Sequence, residues 1–401
     1  MSGAGFRVTC RERVVLTLVV LVAPAMAGSG WAADGPKVPA RSQAEPWRAA
    51  QGDEPPADSP GAPQDPAAPP ASPAPEPTAP DLVIKAFGDI NLAYQDDGTP
   101  GGFSLGELDL FLTSELTSDL SVLAEIVFEP QEGASAEIEL ERYVIRWAPR
   151  DAFQLALGRM HMPLGYWNQA YHHGAWFQTT IERPIVYRWE HDGGVLPVHD
   201  VGLALLGSHP VSGVTLEYSA SVTNGRAPES TEVQDLNDAN SNKAVHLWLG
   251  IVPRALRSLK FGGVVRFDRI PPAKDDPQSA GLDERITGAF VAYTPRRGEA
   301  LAEILHIRHE ARDSGASWTT LGLYAQGAVR LGRFKPYYRY DYQDVDEGDP
   351  YYDQHGTQSR HTLGVRHDPW SWAALKLELY RESPTTGVKF NAVAFQAAFT
   401  F

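Results

Sequence analysis

The chain is 401 residues long and carries 35 basic against 50 acidic side chains, a formal charge of −15; 29 of the basic and 42 of the acidic residues lie in 81–401. An acidic main region excludes nucleic acid as a partner, because neutralising phosphates takes clustered Lys and Arg. No stretch is apolar for the roughly 18 residues that a membrane-spanning helix needs, so the 43% hydrophobic content must follow another pattern.

The N-terminus reads as a secretory signal peptide over 1–33. Arg7, Arg11 and Arg13 precede an apolar run from Val14 to Ala23, and Ala25-Met26-Ala27 offers a small-residue cleavage site, with a second near Ala32. Cys10 is the only cysteine and falls in this leader, so the exported chain would carry no thiol into an oxidising compartment. Residues 34–80 follow as a Pro/Ala-rich disordered tether on the periplasmic side, with 11 prolines between Asp53 and Pro80. That composition cannot bury enough apolar surface to fold, and it favours extended polyproline-like backbone.

From Asp81 the texture changes to strict alternation. Leu375, Leu377 and Leu379 share one parity while Lys376, Glu378 and Tyr380 share the other, and Tyr143, Ile145 and Trp147 alternate with Arg142, Val144 and Arg146. A period of two gives each strand one apolar and one polar face. Sixteen such segments are predicted: 82–95, 103–116, 119–129, 137–148, 151–160, 199–208, 211–224, 243–253, then 256–269, 282–295, 298–310, 315–331, 333–345, 357–368, 371–382 and 388–401. Every second connection is a tight turn, as at Thr117-Ser118, Pro149-Arg150, Pro253-Arg254 and Asp368-Pro369, whereas the others are longer and polar. A soluble sandwich has no reason to keep two connection classes in alternation. A closed antiparallel β-barrel does: its strands cross the bacterial outer membrane, with short turns in the periplasm, long loops outside, lipid on the apolar face and a wet lumen on the polar one.

The end of the chain agrees. Val393, Phe395, Ala397, Phe399 and Phe401 fall on one parity, which resembles the C-terminal strand of bacterial outer-membrane proteins; that resemblance implies that the last aromatic helps the outer-membrane assembly machinery recognise the chain. Tyr338, Tyr340 and Tyr342 share a parity with Phe334 and suit the lipid–water boundary. Outer-membrane lipid and lipopolysaccharide are the expected surroundings. The outer loops are acidic, with Asp96-Asp97, Asp275-Asp276 and Asp344, Asp346, Glu347 and Asp349, and read as a solvated face.

The third outer loop, about 161–198, is the longest. Its Trp167, Trp176, Trp189 and Phe177 argue against disorder, and a loop of this length in a compact domain is functional when it is ordered. It is expected to fold into the lumen and narrow it, with His161, Tyr166, Trp167, His172, His173, Trp176 and Arg183 in the constriction. The run GRMHMPLGYWNQAYHHGAWFQTTIERP (158–184), followed by LPVHDVGL (196–203), resembles proteobacterial porins of the phosphate-selective porin O/P-like superfamily. That resemblance implies a sixteen-stranded barrel, a third loop forming the constriction, and a homotrimer. The acidic outer loops lack the lysine-rich cluster of the phosphate-specific members, which puts phosphate selectivity in doubt.

Parity assigns the lumen wall. Glu107, Asp109, Glu115 and Glu125 point inward from the second and third strands. Lys260, Arg266, Arg308, Lys335, Arg339, Arg366 and Lys376 point inward from the ninth to fifteenth, and Arg142 and Arg146 lie near the acidic group. Opposed charges across a constriction create a transverse field that orients polar solutes; the same groups can instead pair along the wall. Five histidines (161, 172, 173, 191, 199) cluster in the third loop, but their spacing matches no metal motif, so no metal and no cofactor is expected. No G-x-S-x-G element or defensible Ser–His pairing points to an enzyme. The expected function is a passive diffusion channel for small hydrophilic solutes or ions, with steric sieving at the loop and bias from the lumenal charges. The alternative is a sealed or gated barrel that binds a ligand or metal at its histidine-rich third loop.

Overall fold

The computed structural model describes residues 80–401 except 132–134, 172–173, 190–192, 232–236, 275–280 and 354. The signal peptide, the tether before Pro80, His172, His173 and His191 therefore lie outside the described residues. Sixteen strands follow one another. The first four are β1 (Leu82–Gln95), β2 (Gly102–Glu115), β3 (Leu120–Gln131) and β4 (Ser135–Arg150). Next come β5 (Phe153–His161), β6 (His199–Val211), β7 (Val214–Thr223) and β8 (Ala244–Pro253). Then follow β9 (Leu259–Ile270), β10 (Leu282–Tyr293), β11 (Gly298–Ala311) and β12 (Ser317–Val329). The last are β13 (Phe334–Val345), β14 (Gln358–Trp370), β15 (Ala373–Ser383) and β16 (Phe390–Thr400). All sixteen fall where the alternation placed them.

Each strand pairs antiparallel with its neighbours in sequence, and β1 pairs with β16 from Phe87↔Thr400 to Gln95↔Ala392, closing the barrel. Closure removes every sheet edge, the condition for crossing a bilayer with strands. The faces are inverted relative to a soluble protein. On β15, Leu377 and Leu379 are 47% and 54% exposed, while Lys376 and Glu378 between and beside them are 1% exposed. Such an apolar exterior over a charged interior is stable only when the exterior meets lipid. Among the described residues no helix is long and apolar enough to cross a membrane.

Two departures from strict alternation matter. A bulge at Glu141 of β4, opposite Glu125 and Ile126 of β3, shifts the register, so the adjacent Glu141 and Arg142 are both buried; two successive inward side chains are what a bulge produces. A second irregularity, opposite Gly88–Ile90, seats Gly106 against Asp89, whose carboxylate lies 2.0 Å from where a Cβ would be.

Arg308 is a correction. On β11 the inward parity belongs to Glu299, Leu301, Glu303, Leu305, Ile307 and His309, all buried, and Arg308 takes the opposite one. It is exposed, bonds Glu310 at 2.8 Å, and stands opposite Arg285 of β10 on the outer surface. Both parities of β11 carry apolar residues, so alternation alone did not mark its inner face. The loop-side ends of β9–β11 also rise into a polar collar, where outward residues need not be apolar.

Candidate functional site

The third loop (L3) leaves β5 at His161 and returns at His199, two residues that face each other across the β5–β6 pair. The bond from Met162 N to Val198 O (2.9 Å) and those from the Asn168 side chain to both Met162 O and Val198 O close its base. Inside it are a helical turn, Trp167–Ala170, and a 3₁₀ turn, Ile185–Tyr187. L3 does not stay near its own strands. It reaches β11–β15, which lie diametrically opposite β5 and β6 in a sixteen-membered ring.

The apolar part of L3 makes a core within the barrel. Met162, Leu164, Trp167, Val186, Tyr187, Val195, Leu196 and Val198 pack on inward apolar side chains of β8–β13, including Trp248, Ile286, Phe290, Leu305 and Tyr324. Trp248 stacks on Phe290 and donates its indole N–H to Gly165 O at 3.0 Å. This half of the lumen wall is therefore not polar, as a uniformly wet pore would require, but a packing surface. The signal was available: a strand apolar on both parities, like β11, is covered on both sides.

Glu303 of β11 is the anchor. Its carboxylate accepts the backbone N–H groups of Tyr166 (2.7 Å) and Trp167 (2.8 Å) and the hydroxyls of Tyr187 (2.9 Å) and Tyr324 (2.6 Å). Gly165 makes the approach feasible: its φ is +128°, and a Cβ there would lie 2.0 Å from the Glu303 carboxylate. Burial pushes the Tyr187 hydroxyl far above its usual range and that of Tyr166 up to about 12, so both are neutral. Four residues earlier on β11, Glu299 accepts from Thr179 Oγ1 (3.0 Å) and Lys335 Nζ (2.9 Å).

The basic wall of β13–β15 grips the far side of L3. Arg339 donates to Thr180 Oγ1, Glu182 O and Arg183 O at 2.7–3.0 Å and pairs with Asp341 at 2.8 Å. Arg366 donates to the carbonyls of Trp176 and Gln178, and Lys376 to those of Ala175 and Thr180. Glu378 accepts Ile181 N at 2.8 Å and Asp341 accepts Ile185 N at 3.3 Å. Glu182 is held by Arg360 and Arg188, and Arg360 also lies 3.6 Å over the Tyr380 ring. Burial would raise the Glu182 carboxyl, but Arg360 first, then Arg188 and Arg339, outweigh it and hold it down at about 2. Lys335, Arg339, Arg366 and Lys376 thus face inward and act on the loop backbone.

On the opposite wall Glu125 bonds Arg142 at 2.5 Å and lies 3.5 Å from His161, while His199 Nε2 lies 2.6 Å from Glu141. Trp189 stacks on His199 and carries the Arg183 guanidinium 3.7 Å over its ring; its indole approaches Glu107 at 3.4 Å. Asp109 is buried, Glu115 is exposed at the turn-side end of β2, and Arg146 bonds Gln154. Trp176 packs edge-on against Phe177, which meets Phe87 of β1. Near the turn-side end Lys260 pairs with Glu217 (2.7 Å), and toward the outer mouth Arg266 is shared by Asp200 and Asp268. Arg226 reaches Glu284 (2.8 Å), Val195 O and the Tyr352 hydroxyl, binding the loops after β7 and β13 to L3. His309 sits between Glu284 and Asp349, so Asp349 is buried instead of joining a solvated acidic face.

Alternation did not single out Glu299, Glu303, Asp341, Arg226 or Arg360 as site residues, because parity gives direction and not what lies opposite. Nor did the histidines suggest the carboxylates of Glu129, Glu139 and Glu141, whose oxygens lie within 4.8 Å of one another, a set of hard oxygen donors that can hold a divalent cation.

A closed sixteen-stranded barrel with an apolar exterior and a loop folded across its lumen is the fold of outer-membrane barrels. The fold is similar to that of the outer-membrane channel DcaP of Acinetobacter baumannii (TM-score 0.56, 10% identity, covering 80% of this chain and 97% of that one). It is also similar to a loop L8 deletion mutant of OmpT, an outer-membrane protein of Vibrio cholerae (0.55, 10%, 81% and 100%), and to Salmonella typhi OmpF in complex with daunomycin (0.52, 11%, 80% and 97%). At these identities the likeness is one of fold. No family model matches the sequence, and no curated protein matches it.

Proposed function

We propose that this chain is an outer-membrane porin, a passive diffusion channel for small hydrophilic solutes or ions whose cross-section is set by L3. The observation that carries this reading is the clasp: a loop spanning the lumen and bonded to the far wall through Glu303, Arg339, Arg366 and Lys376. Arg339, Arg366 and Lys376 are bonded to the loop, while the Glu182 side chain, though held by Arg360 and Arg188, is 45% exposed and Asp89 and Glu107 are half-buried. The channel is accordingly expected to prefer cations, the reverse of a phosphate pore. Planar-bilayer recordings under a salt gradient test this: ohmic steps with a cation-selective reversal potential support it, and an anion-selective sign contradicts it. The sequence run 158–203 supports the narrower placement in the phosphate-selective porin O/P-like superfamily, as it does a homotrimer. Phe401, 74% exposed and bonded through its backbone to Ala86, is offered to the assembly machinery.

A specific observation favours a second reading, a barrel whose resting state is closed. Interior charges from every side of the ring, Asp109, Glu125, Arg266, Glu284, Arg339 and Lys376, are no more than 2% exposed. Silence from correctly folded barrels that become conductive when the clasp is cut would select this reading over the open channel.

The contact between Glu182 and Arg360 is expected to survive acid. With Glu182 at about 2 against roughly 4.3 in an unfolded chain, its stabilisation is fully present above the unfolded value and is lost only as pH falls through the folded one. The part of the conductance that a Glu182→Gln substitution removes should therefore be unchanged from pH 7 to about pH 4. A step centred near the unfolded value would show that the carboxylate is not held by Arg360.

A further inference from the structure

The turns on the side of both described termini carry an unusual surface. At the β14–β15 turn Trp370 and Trp372 stack at 5.0 Å with an interplanar angle of 5°, yet remain 59% and 51% exposed. Together with Arg333, Asp368, Pro369 and Ser371 they line an open cleft of about 400 Å³. Arg333 donates to Pro369 O and Arg330 pairs with Asp368, both at 3.0 Å, fixing the cleft's polar edge. Arg254, Arg257, Arg296 and Arg297 are exposed two and three turns further along the same rim.

From this surface we infer that the aromatic cleft at Trp370–Trp372 docks the chain's own proline-rich segment. Residues 51–80 contain five acidic and no basic side chains, the complement of an arginine-rich rim. Pro60, Pro63, Pro66 and Pro69 recur every third residue, and polyproline II has three residues per turn, so in that conformation the four rings would form one ridge. Exposed aromatic grooves take such ridges because the ligand is already extended and little entropy is lost.

The reach suffices. Trp372 O accepts Thr400 N, and Thr400 is opposite Phe87, so Leu82 lies five residues beyond that level and two strands to the side. At strand spacings this is roughly 20 Å, whereas residues 70–81 in polyproline II span about 37 Å. Covalent attachment also supplies a high local concentration.

The test places a photo-crosslinking benzoylphenylalanine at Ser371 in the exported chain, reconstituted in vesicles containing phosphatidylglycerol, and maps the products by mass spectrometry. Crosslinks within 58–70 are expected. The variant P60S/P63S/P66S/P69S, which leaves the barrel sequence untouched, should lower their yield about 5- to 10-fold, the worth of an aromatic stacking contact. Crosslinks to lipid or to a second barrel, no crosslink to the segment, or a yield indifferent to the proline substitutions would each overturn the assignment.

Discussion

Replacing Glu303 by alanine is expected to raise single-channel conductance at least about two-fold and to expose L3 to external protease, because the barrel loses the group that seats the loop. Four donors meet on this carboxylate: Tyr166 N, Trp167 N and the hydroxyls of Tyr187 and Tyr324. A buried donor left unsatisfied costs about 1–3 kcal/mol, so even with water repairing half of them the seated loop loses on the order of 3 kcal/mol. That removes one of the loop's main anchors and leaves the bonds to β13–β15 to hold it alone, while the strand ladders of β10–β12 keep their own bonds. Glu303→Gln retains an acceptor of similar shape and should fall between wild type and alanine. Equal conductance in all three chains would mean that L3 does not set the cross-section.

The second large effect is expected at Arg339. Its guanidinium holds Thr180, Glu182 and Arg183 and pairs with Asp341. Arg339→Ala removes three loop bonds and leaves Asp341, 0% exposed, without its paired charge; breaking such a buried pair costs about 3–5 kcal/mol. Conductance should rise and the reversal potential move further toward cations, since a positive charge is lost and an acid uncovered. Lysine is a poor substitute, because one ammonium cannot serve carbonyls fanned around a planar fork. Arg308→Ala is the matched control: on the outer surface beside Glu310, it should change neither quantity. A change as large as that at Arg339 would return Arg308 to the lumen and undo the assignment of β11.

The architecture was legible in the sequence because one physical rule governs nearly all of it. Lipid outside and polar groups inside impose a period of two, and a barrel inserted from one side imposes short turns on that side, so Leu377/Lys376 and the turn at Asp368-Pro369 carried the reading. The rule fails where lipid and water are not the only surroundings. Glu141 and Arg142 share a face because of a bulge that no alternation reveals. β11 buries Leu301, Leu305 and Ile307 against L3, which made its inner face look like its outer one and sent Arg308 to the wrong side. The aromatic residues of L3 did signal an infolded loop. Its partners did not show, since Glu303 and Arg339 are separated from Tyr166 and Thr180 by more than 130 residues and only closure of the ring brings them together.

The central claim, that L3 lies across the lumen and stays there, is tested most directly by tethering it. In a Cys10→Ser background, cysteines at Thr179 and Lys335, whose side chains meet at 2.6 Å, can be bridged by a short bismaleimide and the same channels recorded before and after. The clasp predicts that bridging leaves conductance unchanged, because the reagent fixes the loop where it already is. A fall in conductance on bridging would contradict it, by showing that L3 ordinarily lies elsewhere and has been drawn into the lumen.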